Sequence, residues 1–255
     1  MIPASPSPTE AAAAVTTGPP LRADAKAVVW GLLVGAAAGA IAGFVVGGVG
    51  GRLAMLLLRL TSPDSVIGVT SDDGFEIGRI TADTLELFVI TTFFGAVSGL
   101  LYAVFRGAIP ARLRLPLWTA FAALVGGANF VHEDGVDFAL LEPALLAIAL
   151  FIALPGIAAA VVVVLVERWT ASREPWGDRR LTALVVVASL AAGHLLAVAA
   201  LVALAAVVGR RVARRSPRRA AALRRVSRVL VPAGLAAVGV WNGIDLVLES
   251  GRILG

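Results

Sequence analysis

Apolar runs of helix-spanning length dominate this chain. They fall at about 27–51, 85–105, 115–131, 143–166, 181–208 and 229–248, with short polar stretches between them. At about 1.5 Å rise per residue, about 20 residues cross a hydrocarbon layer about 30 Å thick. Inside that layer every backbone N–H and C=O must be paired within the protein, and a helix pairs them within one segment. The reading is therefore all-α: an integral membrane helical bundle of about six transmembrane helices, with a small hairpin in the first loop as the candidate exception. Composition supports it. The 255 residues are 58% hydrophobic and 15% charged, whereas a soluble domain is nearer about a quarter charged. Residues 1–25, rich in Ala, Pro, Ser and Thr, read as a disordered tail, and 26–255 as one transmembrane domain. The expected location is the cell membrane, as a multi-pass protein.

The first run carries Gly31, Gly35, Gly39, Gly43, Gly47 and Gly51 at every fourth position. On a helix this is one slowly drifting stripe. Without side chains there, another backbone can approach closely, and dispersion replaces the hydrophobic drive that lipid does not supply. Thr91, Gly95, Gly99 and Ala103 form a second small-residue stripe on the second run. The two could meet as a glycine zipper inside one bundle, or the first could pair with a second copy or a membrane partner.

The loop charges bear on orientation. The first loop is acidic and includes Asp64, Asp72, Asp73 and Glu76; the third includes His132, Glu133, Asp134 and Asp137. Val66–Thr70 and Phe75–Ile80 alternate around Asp73-Gly74, which suggests the hairpin. Arg106, Arg112 and Arg114 fill the second loop, and Trp30, Trp118 and Trp169 fall near the same side, as an interfacial belt would. The Arg-rich segment Arg210–Arg228 conflicts with this. Six single crossings place it with the acidic loops, and the positive-inside rule then decides nothing. Two repairs exist: the short third run is re-entrant, or the arginines face the acidic loops and pair with them.

Several groups could carry chemistry. Asp72, Asp73, His132, Glu133, Asp134 and Asp137, with Arg52 at the membrane edge, form a candidate polar cluster. Oxygen ligands of this kind suit Mg, Ca or Mn, yet solvated loops and Asp-Gly turns account for the same residues, and no metal-binding motif is present. His194, Asn242 and Asp245 lie within apolar runs, where polar groups are costly and either functional or held between helices. Arg210–Arg228 could hold anionic lipid headgroups; without interleaved aromatics or a binding motif it is not a nucleic-acid site. Pro155-Gly156 should kink the fourth run. With no cysteine, thiolate chemistry is excluded. No nucleophile elbow, phosphate loop or dinucleotide fingerprint is present, and no cofactor is implied.

Gly51-Arg52-Leu53-Ala54-Met55, the stretch Gly68 to Gly78 containing Ser71-Asp72-Asp73-Gly74-Phe75-Glu76-Ile77-Gly78, and His132-Glu133-Asp134-Gly135-Val136-Asp137-Phe138 resemble segments of uncharacterised bacterial polytopic membrane proteins. That group carries no activity to transfer. The resemblance implies only that the two acidic loops and Arg52 belong together. The expected function is that of a non-catalytic packing or partner-binding membrane protein. A small-solute or ion transporter, and a metal-dependent enzyme at the acidic face, are the alternatives.

Overall fold

The structure is a computed structural model that describes residues 21–71, 74, 76, 77, 79, 83–171, 183 and 217–255. The protein is an all-α bundle. Its elements are α1 (Leu21–Ala42), a π-helical segment (Gly43–Gly50), α2 (Gly51–Thr61), α3 (Asp83–Phe105), α4 (Ala111–Phe130), α5 (Val136–Leu140), α6 (Ala144–Thr170) and α7 (Pro217–Leu254). Among the described residues four stretches are long and apolar enough to cross a membrane: Lys26–Thr61, Thr84–Phe105, Ala144–Thr170 and Ala221–Leu254. The fifth apolar run, 181–208, lies outside the described residues apart from position 183, as do residues 1–20.

The first helix is longer than the apolar run that announces it. It begins at Leu21, inside the expected tail, and passes through Gly51 in ordinary helical geometry. Leu, Ala, Met and Arg after Gly51 are strong helix formers, so nothing stops it there. It ends at Ser62, which is extended ahead of Pro63, as a residue before proline prefers. Ser62 Oγ donates to the Leu58 carbonyl at 2.7 Å and accepts the Glu142 N–H at 2.8 Å.

α1 packs against α3 along a glycine seam. A Cβ on Gly35 would lie 2.6 Å from the Gly99 carbonyl oxygen and 2.7 Å from Ala103 Cβ. A Cβ on Gly39 would strike the Gly95 carbonyl, and one on Gly43 the Thr91 carbonyl. From the other side, Cβ atoms on Gly95 and Gly99 would strike the Gly39 and Gly35 carbonyls. Close Cα–H to carbonyl contacts accompany such an approach. Gly31 and Gly51 meet nothing within 4 Å, so neither belongs to the seam.

Helical pitch explains where the seam ends. On an α-helix a four-residue repeat drifts by about 40° per step. The π segment closes i→i+5 bonds and turns more slowly per residue, so it reverses that drift. Gly47 therefore still meets Thr91, its Cβ position 2.8 Å from Thr91 Cβ, and Gly48 lies against the Phe88 ring. Where α-geometry resumes at Gly51, the stripe leaves α3.

A second seam joins α4 to α6. The Pro155 ring fills the notch at Gly126, where an added Cβ would be 2.5 Å from Pro155 Cβ. Gly127 faces Ile152, and Gly156 faces Ala123. α6 runs through Pro155-Gly156 as one helix of 27 residues. α4 is an uninterrupted helix of 20 residues. It lies antiparallel to α6, from Arg114 beside Glu167 at one end to Phe130 beside Phe151 at the other. The third run is thus one unbroken helix alongside α6, although it is not among the four stretches long and apolar enough to cross a membrane.

The buried core lies in layers along the bundle. Trp30, Val34, Tyr102, Ile109, Trp118, Val162 and Val166 pack toward one end. Leu58, Val66, Val131, Phe138, Leu141 and Leu246 pack toward the other. Trp30 and Trp118 are thus core residues, not a lipid-facing belt. On α7, Val231 and Leu235 join the first cluster, whereas Leu246 and Ile253 join the second. This fixes the direction of α7: it starts at the end where α6 finishes. The arginines at its start lie at the end that holds Arg106, Arg112, Arg114 and Arg168, away from the acidic loops.

In the first loop, Thr70 and Glu76 form an isolated antiparallel bridge. The Gly68 N–H donates to Ile77 O and the Ile77 N–H to Val69 O, both at 2.9 Å. Gly74, at φ +82°, donates to Ser71 O and closes the turn. Among the described residues the expected hairpin is reduced to this single bridge, with no strand on either side.

Candidate functional site

The most developed polar constellation lies at the basic end, where α3, α4 and α6 converge. Tyr102 is on the last turn of α3, Arg106 just beyond it, Arg114 on the first turn of α4, and Glu167 on the last turn of α6. Glu167 Oε1 accepts from Tyr102 Oη at 2.7 Å and from Arg106 Nε at 3.0 Å. Its Oε2 accepts from Arg106 Nη2 at 3.1 Å and from Arg114 Nη1 at 2.9 Å. Arg114 Nε also reaches the carbonyls of Arg106 and Ile109. The Tyr102 ring is buried and packs on Trp118 at a centroid distance of 5.4 Å.

A carboxylate offers about four acceptor positions, and here all are taken. With no position left for a metal or a substrate proton, Glu167 serves as a clamp joining three helix ends. Two guanidiniums share one carboxylate, so the cluster keeps a net positive charge. Beside it a groove of about 220 Å³ runs between α4 and α6, lined by Ala111, Arg114, Leu115, Val163, Val164 and Glu167. None of the four clamp residues stands out in sequence as a site. The usable signal was Glu167, an acid at the end of an apolar run that must lie level with the basic second loop.

At the acidic end His132, Asp134 and Asp137 line one cleft, whereas Glu133 and Arg52 take other partners. Asp72 and Asp73 lie outside the described residues. The Glu133 carboxylate pairs with Arg252 at 3.2 Å, and its N–H donates to Glu249 at 2.8 Å. Asp134 is exposed. His132 Nε2 lies 3.1 Å from the Asn129 carbonyl. Asp137 is buried, at 3% exposure. His132, Asp134 and Asp137 border an open cleft of about 250 Å³ with Asn129 and the Phe130 and Phe151 rings. Among the described residues no three His, Asp or Glu side chains are grouped so as to hold a metal ion. Arg52 bonds the Thr84 hydroxyl and so ties the start of α2 to the start of α3. Arg59 pairs with Asp64 at 3.1 Å.

Of the intramembrane candidates, Asn242 and Asp245 lie on α7. His194 lies outside the described residues. Asn242 donates to the Val238 carbonyl of its own helix at 2.9 Å. Asp245 is exposed on α7, one turn before Glu249.

No family model, curated protein or solved structure matches this chain.

Proposed function

We propose that this is a multi-pass protein of the cell membrane with a non-catalytic role, a rigid helical scaffold that presents its ends and outer faces to lipid or to a membrane partner. The observation that carries this reading is the α1–α3 seam, in which the glycines from Gly35 to Gly48 are occupied by α3 of the same chain. A stripe used in this way is not free to join a second copy, so partner binding falls to other surfaces. The saturated Glu167 clamp supports the same reading, because its polar groups lock helices together rather than open a site.

The test is made on purified protein in detergent and in proteoliposomes. The double variant Gly39→Leu/Gly43→Leu should lose thermal stability and folded yield. Gly31→Leu should leave both unchanged, with the particle mass the same as that of the parent. If Gly31→Leu instead changes the oligomeric mass, the stripe works between chains. Flux of protons or small solutes that Asp245→Asn abolishes would replace the scaffold by a transporter.

A further inference from the structure

α7 is too long for the layer it crosses, and its excess is basic. Glu249, near its end, accepts the backbone N–H of Glu133 and so marks the polar boundary at the acidic end. From Glu249 back to Arg228 is about 31 Å at helical rise, about the thickness of the hydrocarbon core. The turns from Pro217 to Arg228 therefore lie at and beyond the opposite boundary, at headgroup level.

The direction of the arginines is set by the helix repeat. Arg224, Arg228, Val231, Leu235, Gly239 and Leu246 follow one another at steps of three, four or seven and share a face. Val231 and Leu235 on that face pack on the core, Gly239 faces Leu124, and Leu246 is buried. Arg224 and Arg228 thus extend the bundle-facing stripe over the basic end, with Arg225 beside them. All three are exposed, and among the described residues none forms an ion pair. On the opposite face Leu223 and Leu230 are 72% and 63% exposed. The arginines thus line the bundle side of this helix at headgroup level, while apolar side chains face outward from it. The same end carries Arg112, Arg168 and the positive Glu167 clamp.

We infer that the basic end of the bundle, with Arg224, Arg225 and Arg228 of α7 as its main contacts, is a docking surface for anionic phospholipid headgroups. The occupant follows from charge complementarity and from depth: this positive surface lies at the level that lipid phosphates occupy. The inference rests on the membrane placement of the bundle and not on the scaffold role, so each can fail alone.

The experiment is native mass spectrometry of the full chain in detergent, titrated with phosphatidylglycerol or phosphatidylcholine at equal concentration. Phosphatidylglycerol should be retained more strongly, by up to about a hundredfold. Each arginine near an anionic surface is worth about a factor of five. R224Q/R225Q/R228Q should then lower phosphatidylglycerol retention by up to about a hundredfold, whereas the corresponding triple lysine variant stays within about twofold of the parent. Arg59→Gln at the acidic end should leave retention unchanged. Equal retention of the two lipids would overturn the inference. So would a triple glutamine variant that binds like the parent, or a triple lysine variant that loses as much as the glutamine one. Complete release of the lipid by millimolar inorganic phosphate would instead assign the surface to free anions and would equally overturn it.

Discussion

At the scale of single residues, Glu167 organises the basic end. It joins Tyr102, Arg106 and Arg114, residues that are 53 to 65 positions away along the chain. Its side chain is about a third exposed, so solvent screening reduces its value below that of a fully buried pair. Glu167→Gln removes the negative charge that two guanidiniums share while they stay close together, and should cost about 1–3 kcal/mol. Tyr102→Phe removes one hydrogen bond to the same carboxylate and should cost about 1 kcal/mol. Thermal melting in mild detergent should therefore rank the parent above Tyr102→Phe, and that above Glu167→Gln. If Glu167→Gln melts with the parent, the clamp contributes nothing. Individual charges were legible in sequence, but their meeting was not. Local pattern places Arg106 and Arg114 in a loop and Glu167 at a helix end. Only the antiparallel alignment of α4 with α6 makes these levels coincide.

At the scale of elements, helix length was the most legible property, because a bilayer sets it. The runs at 85–105 and 143–166 differ from α3 and α6 by only a few residues at their ends. The first and last helices run further than their apolar runs, since polar residues beyond the hydrocarbon core still favour helix. The glycine stripe was visible as a four-residue repeat, but its working length was not, since that depends on pitch and no residue pattern here announces a π segment. Gly126 and Gly127 were passed over for a related reason: they form no repeat, and their partner is a single proline knob. These contacts predict a graded response to alanine. Gly39→Ala and Gly95→Ala place a methyl group against backbone, which cannot move aside as a side-chain tip can, and each should cost about 1–3 kcal/mol. Gly31→Ala and Gly51→Ala meet open space. Within a helix they should stabilise by several tenths of a kcal/mol through propensity. Denaturation of the four variants in one detergent separates the two classes. A uniform response across all four would show that the seam is not close-packed.

At the scale of the whole molecule, the ends of the bundle carry opposite charge. Arg106, Arg112, Arg114, Arg168, Arg224, Arg225 and Arg228 collect at one end, while Asp64, Glu86, Glu133, Asp134, Glu142 and Glu249 outnumber Arg52, Arg59 and Arg252 at the other. This is the asymmetry that the positive-inside rule reads, and the rule predicts the basic end on the cytoplasmic side. Sequence could not resolve this, because counting each apolar run as one crossing put the Arg-rich segment with the acidic loops. The direction of α7 removes the conflict: α6 leaves the bundle and α7 enters it at the same end. The protein has no cysteine, so single reporters can test the arrangement without background. Ser65 is exposed at the acidic end and Ala221 at the start of α7. In intact cells an impermeant thiol reagent should label Ser65→Cys at once and Ala221→Cys only after the membrane is opened. The reverse order would keep the helix directions and invert the protein, leaving the charge rule as the failed premise. Labelling of both from one side would mean that α7 enters from the acidic end, and the Arg-rich face could then not share a surface with Arg112 and Arg168.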